Sequence, residues 1–100
     1  MLLLLDDVKF RNKNEFYYFI NNSFPGKEVL DTDALFNVLT DDDPQIEIIV
    51  SDLDILKGED KAFANEIVKV FYDAKNANPN LVITNVDTRN VRPDLTLESK

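Results

Sequence analysis

Ile46-Glu47-Ile48-Ile49-Val50 is the stretch on which the fold turns, because four of its five residues are β-branched. Such side chains are stiff about their first torsion and suit a pleated surface, so residues 46–50 predict a strand. It sits in the middle of the chain, between the acidic turn Asp41-Asp42-Asp43-Pro44 and Ser51-Asp52. The rest of the sequence therefore has to be arranged on either side of it.

Upstream, Ala34, Leu35, Val38 and Leu39 recur at helical spacing behind a cap at Asp31 or Thr32, which predicts a short helix ending before Asp41. Phe24-Pro25-Gly26 separates it from an earlier helix over about 13–22. That helix opens with Asn12 and Glu15 in a capping pattern and carries Phe16, Phe19 and Ile20 on one face. The apolar run Leu2–Leu5 predicts a buried strand, covered on both faces or lying at a sheet centre. Downstream, Ser51 with Asp54 predicts a capped helical turn or two, terminated by Gly58. The longest helix follows over roughly 60–77, with Phe63, Ile67, Val70, Phe71 and Ala74 as its core stripe. Asn78-Pro79-Asn80 ends it, and Leu81–Ile83 begins a third strand.

The order is β-αα-β-αα-β. Each connection between strands exceeds a dozen residues and contains helices, so parallel pairing is the expected arrangement. The fold class is α/β, a small two-layer domain with a three-stranded parallel sheet over residues 1–86. A polar extension, with Pro93 and few large apolar groups, occupies 87–100.

Eleven of the 19 acidic residues fall between Glu28 and Asp60, where Lys57 is the only base, so the net charge of −8 is concentrated in the middle third. A local field of that sign attracts basic partners and repels nucleic acid. With no histidine and no cysteine, the usual general base, imidazole ligand, thiolate and disulfide chemistries are all missing. An enzyme is not expected, nor is a cofactor or a metal. Leu2–Leu5 is too short for a signal-peptide core or a membrane span. A soluble, cytoplasmic protein is expected, monomeric when unbound and without nucleic-acid or membrane partners.

Several segments, in order and at nearly constant spacing, resemble the barstar-like ribonuclease inhibitors over about 1–83. They are Phe10-Arg11-Asn12-Lys13 through Glu15-Phe16-Tyr17, Asp33-Ala34-Leu35-Phe36 with Leu39-Thr40, Asp54-Ile55-Leu56-Lys57, Phe63-Ala64, Val70-Phe71 and Asp73-Ala74. The resemblance implies three parallel strands packed against helices. It also implies a function: plugging the active site of a secreted ribonuclease inside the producing cell. A ribonuclease presents Lys and Arg to phosphates, so carboxylates offered in their place gain charge-assisted hydrogen bonds and steered association.

By the resemblance, most contacts come from the second helix and the loop before it, here Lys27–Thr40. Asp33 corresponds to a contact carboxylate, Phe36 to a large contact aromatic and Asp73 to a carboxylate reaching over from the long helix, while Thr40 falls in the contact loop. Lys27 and Asp31 lie within this region, and Asp41, Asp42 and Asp43 border it. Where the family's phosphate-mimicking aspartate is expected the chain has Asn37, which keeps the shape and gives up the charge. Lys27-Glu28-Val29 replaces the family's Tyr-Tyr-Gly-type loop, and Trp is missing. Three readings stay open: a different toxin as target, Asp41, Asp42 or Asp43 as substitute anchors, or reuse of the fold.

Two other patterns carry chemistry. Asp6-Asp7 after the first strand and Asp52 after the second resemble the acidic pocket of receiver domains, in which carboxylates hold Mg²⁺ and an Asp accepts a phosphoryl group. Thr84 would be its switch hydroxyl and Arg92-Pro93 its nearest stand-in for a Lys-Pro pair, yet the chain is too short for the five strands that fold needs. Asp52-Leu53-Asp54 is similar to the nucleophile motif of haloacid-dehalogenase-like phosphatases, which need a larger α/β domain.

Overall fold

In the computed structural model, which describes residues 1–86, Ile46–Ser51 forms the middle strand (β2) of a three-stranded parallel sheet. Leu2–Leu5 (β1) lies on one side and Leu81–Val86 (β3) on the other. The register aligns Leu3, Ile48 and Ile83 in one row and Leu2, Glu47 and Val82 in the next. Because side chains alternate across a strand, Leu3, Leu5, Ile46, Ile48, Val50 and Leu81 turn to one face and are buried there. Leu2, Leu4, Glu47, Val82 and Thr84 turn to the other face and are exposed. The helices cover the first face only, giving two layers.

This overturns the reading of Leu2–Leu5 as a doubly covered or central strand. β1 is an edge strand with alternate residues in solvent. An unbroken run of leucines has no polar residue to mark its wet face, so periodicity could not reveal it.

Three α-helices form the second layer: α1 (Lys13–Ser23), α2 (Thr32–Thr40) and α3 (Gly58–Ala77). Asn12 caps α1 by accepting from the amides of Asn14 and Glu15, and Asp31 caps α2 by accepting from Ala34. Pro25 and Gly26 follow α1, Gly26 with a φ of 86° that only glycine adopts freely. On α2, Leu35 and Leu39 are buried; on α3, Phe63, Ile67, Phe71 and Ala74 are.

The order of elements departs from the expected β-αα-β-αα-β in the second crossover. Ser51 does not cap a helix; it is the last residue of β2. Asp52 follows in the left-handed region at φ 60°, and Leu53–Ile55 makes a single 3-10 turn. Gly58 does not end that turn but opens α3, with φ 59°. One α-helix therefore stands where two were expected.

A second 3-10 turn, Asp7–Phe10, went unforeseen. It drives Phe10 into the core, where the ring stacks on Phe16 at 5.5 Å, and Phe16 meets Phe63 edge-on at 5.4 Å. These offset and edge-to-face arrangements are the ones aromatic quadrupoles favour. The polar extension expected over 87–100, including Pro93 and Arg92, lies outside the described residues.

Candidate functional site

α2 is nine residues long, about 13 Å at the helical rise, and the acidic block gathers at both of its ends. Glu28, Asp31 and Asp33 stand at its N-terminal end and Asp41, Asp42 and Asp43 at its C-terminal end. The other acids of the block are elsewhere: Glu47 on the open sheet face, Asp52 and Asp54 past the far end of β2, and Glu59 and Asp60 in the first turn of α3. β2 separates Asp43 from Asp52 by about 20 Å. The acidic middle third is thus not one surface, and the portion that coheres is the portion around α2.

Asp33, Asn37 and the C-cap Asp41 follow one another at intervals of four and lie along one side of α2, all three exposed. Asn37 and Asp41 line a shallow depression of about 190 Å³ together with Lys27, Glu28, Ala34 and Val38. Lys27 Nζ stands 3.9 Å from Asp41 Oδ2. The Lys27 ammonium thus partly neutralises Asp41, and Lys27 belongs to the site as a counter-charge.

Other expected contacts are differently disposed. Phe36 is half-buried and packs against the core, so much of the ring is committed to the fold. Thr40 Oγ1 donates to the carbonyl of Phe36 at 2.9 Å and occupies its hydroxyl within the helix. Asp31 spends one oxygen on the amide of Ala34. Asp73 is exposed on α3 and paired with Lys69 at 3.1 Å; it lines neither depression beside α2.

The acidic turn is rigidly held. Asp42 and Asp43 both adopt left-handed backbone, with φ 66° and 48°. The Asp43 amide donates to Thr40 O, and Asn80 Nδ2 donates to Asp43 O at 3.0 Å. Buried Asn78 donates to Leu39 O and Pro44 O, clamping the turn on both sides. Asp and Asn tolerate left-handed backbone better than other side chains. The conformation explains the residue type; it does not explain the charge, because Asn or Gly would serve equally.

At the other end of α2, the loop leading to Asp31 is fastened by Asn21, whose side chain accepts from the Val29 amide at 2.7 Å and donates to the Val29 carbonyl at 2.9 Å. Leu30, next in line, is 67% exposed. Tyr17 of α1 is near enough to Glu66 of α3 and Asp31 to feel both: burial first, then those two carboxylates, push its phenol above the usual 10.0. Glu66 therefore adds to the acidic field at this end although it lies outside the 28–60 block. Sequence reasoning missed Glu66 and Leu30; helical phase alone could not bring α3 beside the start of α2.

The receiver-like alternative fares differently. Asp6 accepts from the Lys9 amide and caps the 3-10 turn, and Asp7 pairs with Arg11 at 3.1 Å. Among the described residues no three carboxylates are grouped to hold a metal ion, so Asp6, Asp7 and Asp52 do not form the pocket that chemistry requires. Among the same residues no helix is long and apolar enough to cross a membrane. The chain matches no protein-family model, and no curated protein matches it.

Proposed function

We propose that this chain is a protein inhibitor, similar in design to the barstar-like family, that lays the α2 face into the cationic active site of a basic ribonuclease or related toxin. Carboxylates stand where substrate phosphates would bind, and inhibition needs shape and charge but no reaction, metal or cofactor. The producing cell would keep it in the cytoplasm, where the nuclease is a danger.

One observation carries the reading. Asp41, Asp42 and Asp43 sit at the negative end of the α2 dipole, where anions cost stability, and Asp41 alone has a basic partner among them in the described residues. Asp31 and Asp33 at the N-terminal end are accounted for by capping and by the dipole, and Asp41 has Lys27; Asp42 and Asp43 have no such account. Charge retained against stability, on a turn clamped by Asn78 and Asn80, suits a preorganised surface for a cationic partner. Asp33 and Asp41 flank Asn37 and take over as anchors where the family's central aspartate is replaced.

The test is inhibition of secreted basic ribonucleases from the source cell, with association rates measured from low to physiological salt. An inhibitor of this kind associates more slowly as salt rises and ignores Mg²⁺. Exchanging Asp33 and Asp41 for Asn should raise the dissociation constant by about tenfold or more. If none of these nucleases is inhibited, the reading fails.

A further inference from the structure

The two edges of the sheet are guarded unequally. At β3, Lys75 Nζ donates to the carbonyl of Leu81 at 2.8 Å and sets a cation on the outer rim, a common protection of a sheet edge. Among the described residues β1 has no such guard. Met1 faces β2 with both backbone groups: its nitrogen donates to Gln45 O and its carbonyl accepts from Glu47 N. Parallel ladders alternate, so Leu3 and Leu5 also face β2, whereas the N–H and C=O groups of Leu2 and Leu4 point off the sheet. The same two residues expose their side chains, at 53% and 55%. Among the described residues backbone and side chain are thus unpartnered together, on a strand with no charge and no proline.

We propose that two copies of this chain pair through β1, antiparallel about a two-fold axis at Leu3, joining their sheets into six strands. Leu2 of one copy then stands opposite Leu4 of the other, and both exchange the hydrogen bonds that each edge lacks. Charge does not oppose this occupant, and the symmetry of Leu2 and Leu4 about Leu3 makes the edge complementary to itself. The two Asp6 residues fall at opposite ends of the paired strands, about 20 Å apart, roughly two Debye lengths at 0.1 M salt. The two Glu47 residues are separated by about 16 Å across four strands, and the acidic α2 flanks lie in the helical layer, off the seam. A chain of charge −8 can therefore meet its own copy here without bringing Asp6 or Glu47 against its counterpart. The paired strands cover well under the roughly 800 Å² per partner of a stable interface. The dimer is accordingly weak, and the chain is a monomer when dilute.

Sedimentation equilibrium from about 10 μM to about 1 mM, with a millimolar association taken as the weak limit, should show the mass climbing toward twice that of the monomer. Leu4→Lys should abolish the rise, since it alters an exposed position and puts a charge on the edge. Val82→Lys should not, because it lies on the same open face but on the guarded strand. Amide exchange of the unmodified chain supplies a check independent of any variant: Leu2 and Leu4 should gain protection with concentration. A monomer throughout the range overturns the proposal. So does association that Val82→Lys abolishes and Leu4→Lys spares, which would mean sheets stacking face to face.

Discussion

The carboxamide of Asn78 donates to the carbonyl of Leu39, 39 positions earlier in the chain, at 2.9 Å. The same nitrogen donates to Pro44 O at 2.8 Å, and the carboxamide oxygen accepts from the Asn80 amide. A fully buried side chain thus joins the end of α3, the end of α2 and the approach to β2. Asn78→Ala removes the donor to both carbonyls and leaves Leu39 O without it in the interior. The expected loss is about 2–4 kcal/mol in urea unfolding, with Asn78→Asp at least as costly because a carboxylate cannot donate. A loss below about 1 kcal/mol would show that the clamp is dispensable.

At the opposite end of α2, Asn21 holds both backbone groups of Val29. Val29 is itself buried, so the loop is pinned by one polar and one apolar attachment. Asn21→Ala removes the polar one and should cost about 1–3 kcal/mol. Hydrogen exchange should localise the loosening to residues 24–31, with α3 amides unaffected beyond the global change. Uniform loosening throughout would place the role of Asn21 elsewhere.

Charge and conformation can be separated at Asp42. With φ at 66°, Asp42→Gly keeps a residue at ease in left-handed backbone, while Asp42→Ala adds a methyl that disfavours it by about 1–2 kcal/mol. Both remove the same charge. The alanine variant should therefore be the less stable of the two, yet the two should lose equal affinity for a cationic partner. Unequal affinities would mean that turn geometry, not charge, is what the partner reads.

Much of this architecture is legible in the sequence. Asn12, Asp31 and the Phe63–Ala74 stripe announce their helices because capping and 3.6-residue periodicity are local properties. Ile46–Val50 announces its strand through branching alone. What failed was long-range or backbone-specific. Ser51 and Asp54 mimic a cap, but Asp52 takes left-handed backbone and Gly58 starts a helix instead of stopping one. The exposed face of β1 depends on what lies above it, and four identical residues hold no record of that. Of the site, the α2 carboxylates were visible as composition. Their opposition to the helix dipole, the Lys27 counter-charge and the approach of Glu66 needed the fold.

Asn37 offers the most direct gain of function. Asn37→Asp places a carboxylate four residues from both Asp33 and Asp41, and like charges at that spacing destabilise a helix by about 0.2–0.5 kcal/mol per pair. The variant should lose up to about 1 kcal/mol of stability and bind a basic ribonuclease about tenfold or more tightly, given the coupling available to close interfacial charge pairs. Thermal unfolding and association kinetics check the two halves separately. Weaker stability without tighter binding would remove Asn37 from the contact surface.

Tyr17 should make stability fall in alkali. Burial, followed by the carboxylates of Glu66 and Asp31, raises its pKa above 10.0 in the folded chain. An unfolded chain releases the phenolic proton at its ordinary value, so above that pH the unfolded state binds fewer protons than the folded one. The stabilisation is then fully present below about pH 10 and is lost as pH rises through the higher folded value. Lysines titrate in the same range, so the informative quantity is the difference between the unmodified chain and Tyr17→Phe in urea unfolding at a series of pH values. That difference should favour the unmodified chain less and less as pH climbs past 10. Glu66→Gln should shrink the effect without abolishing it, since burial is the larger cause. If Glu66→Gln leaves the profile unchanged while Tyr17→Phe flattens it, the Glu66 carboxylate does not reach Tyr17, and Glu66 drops out of the acidic field at the start of α2.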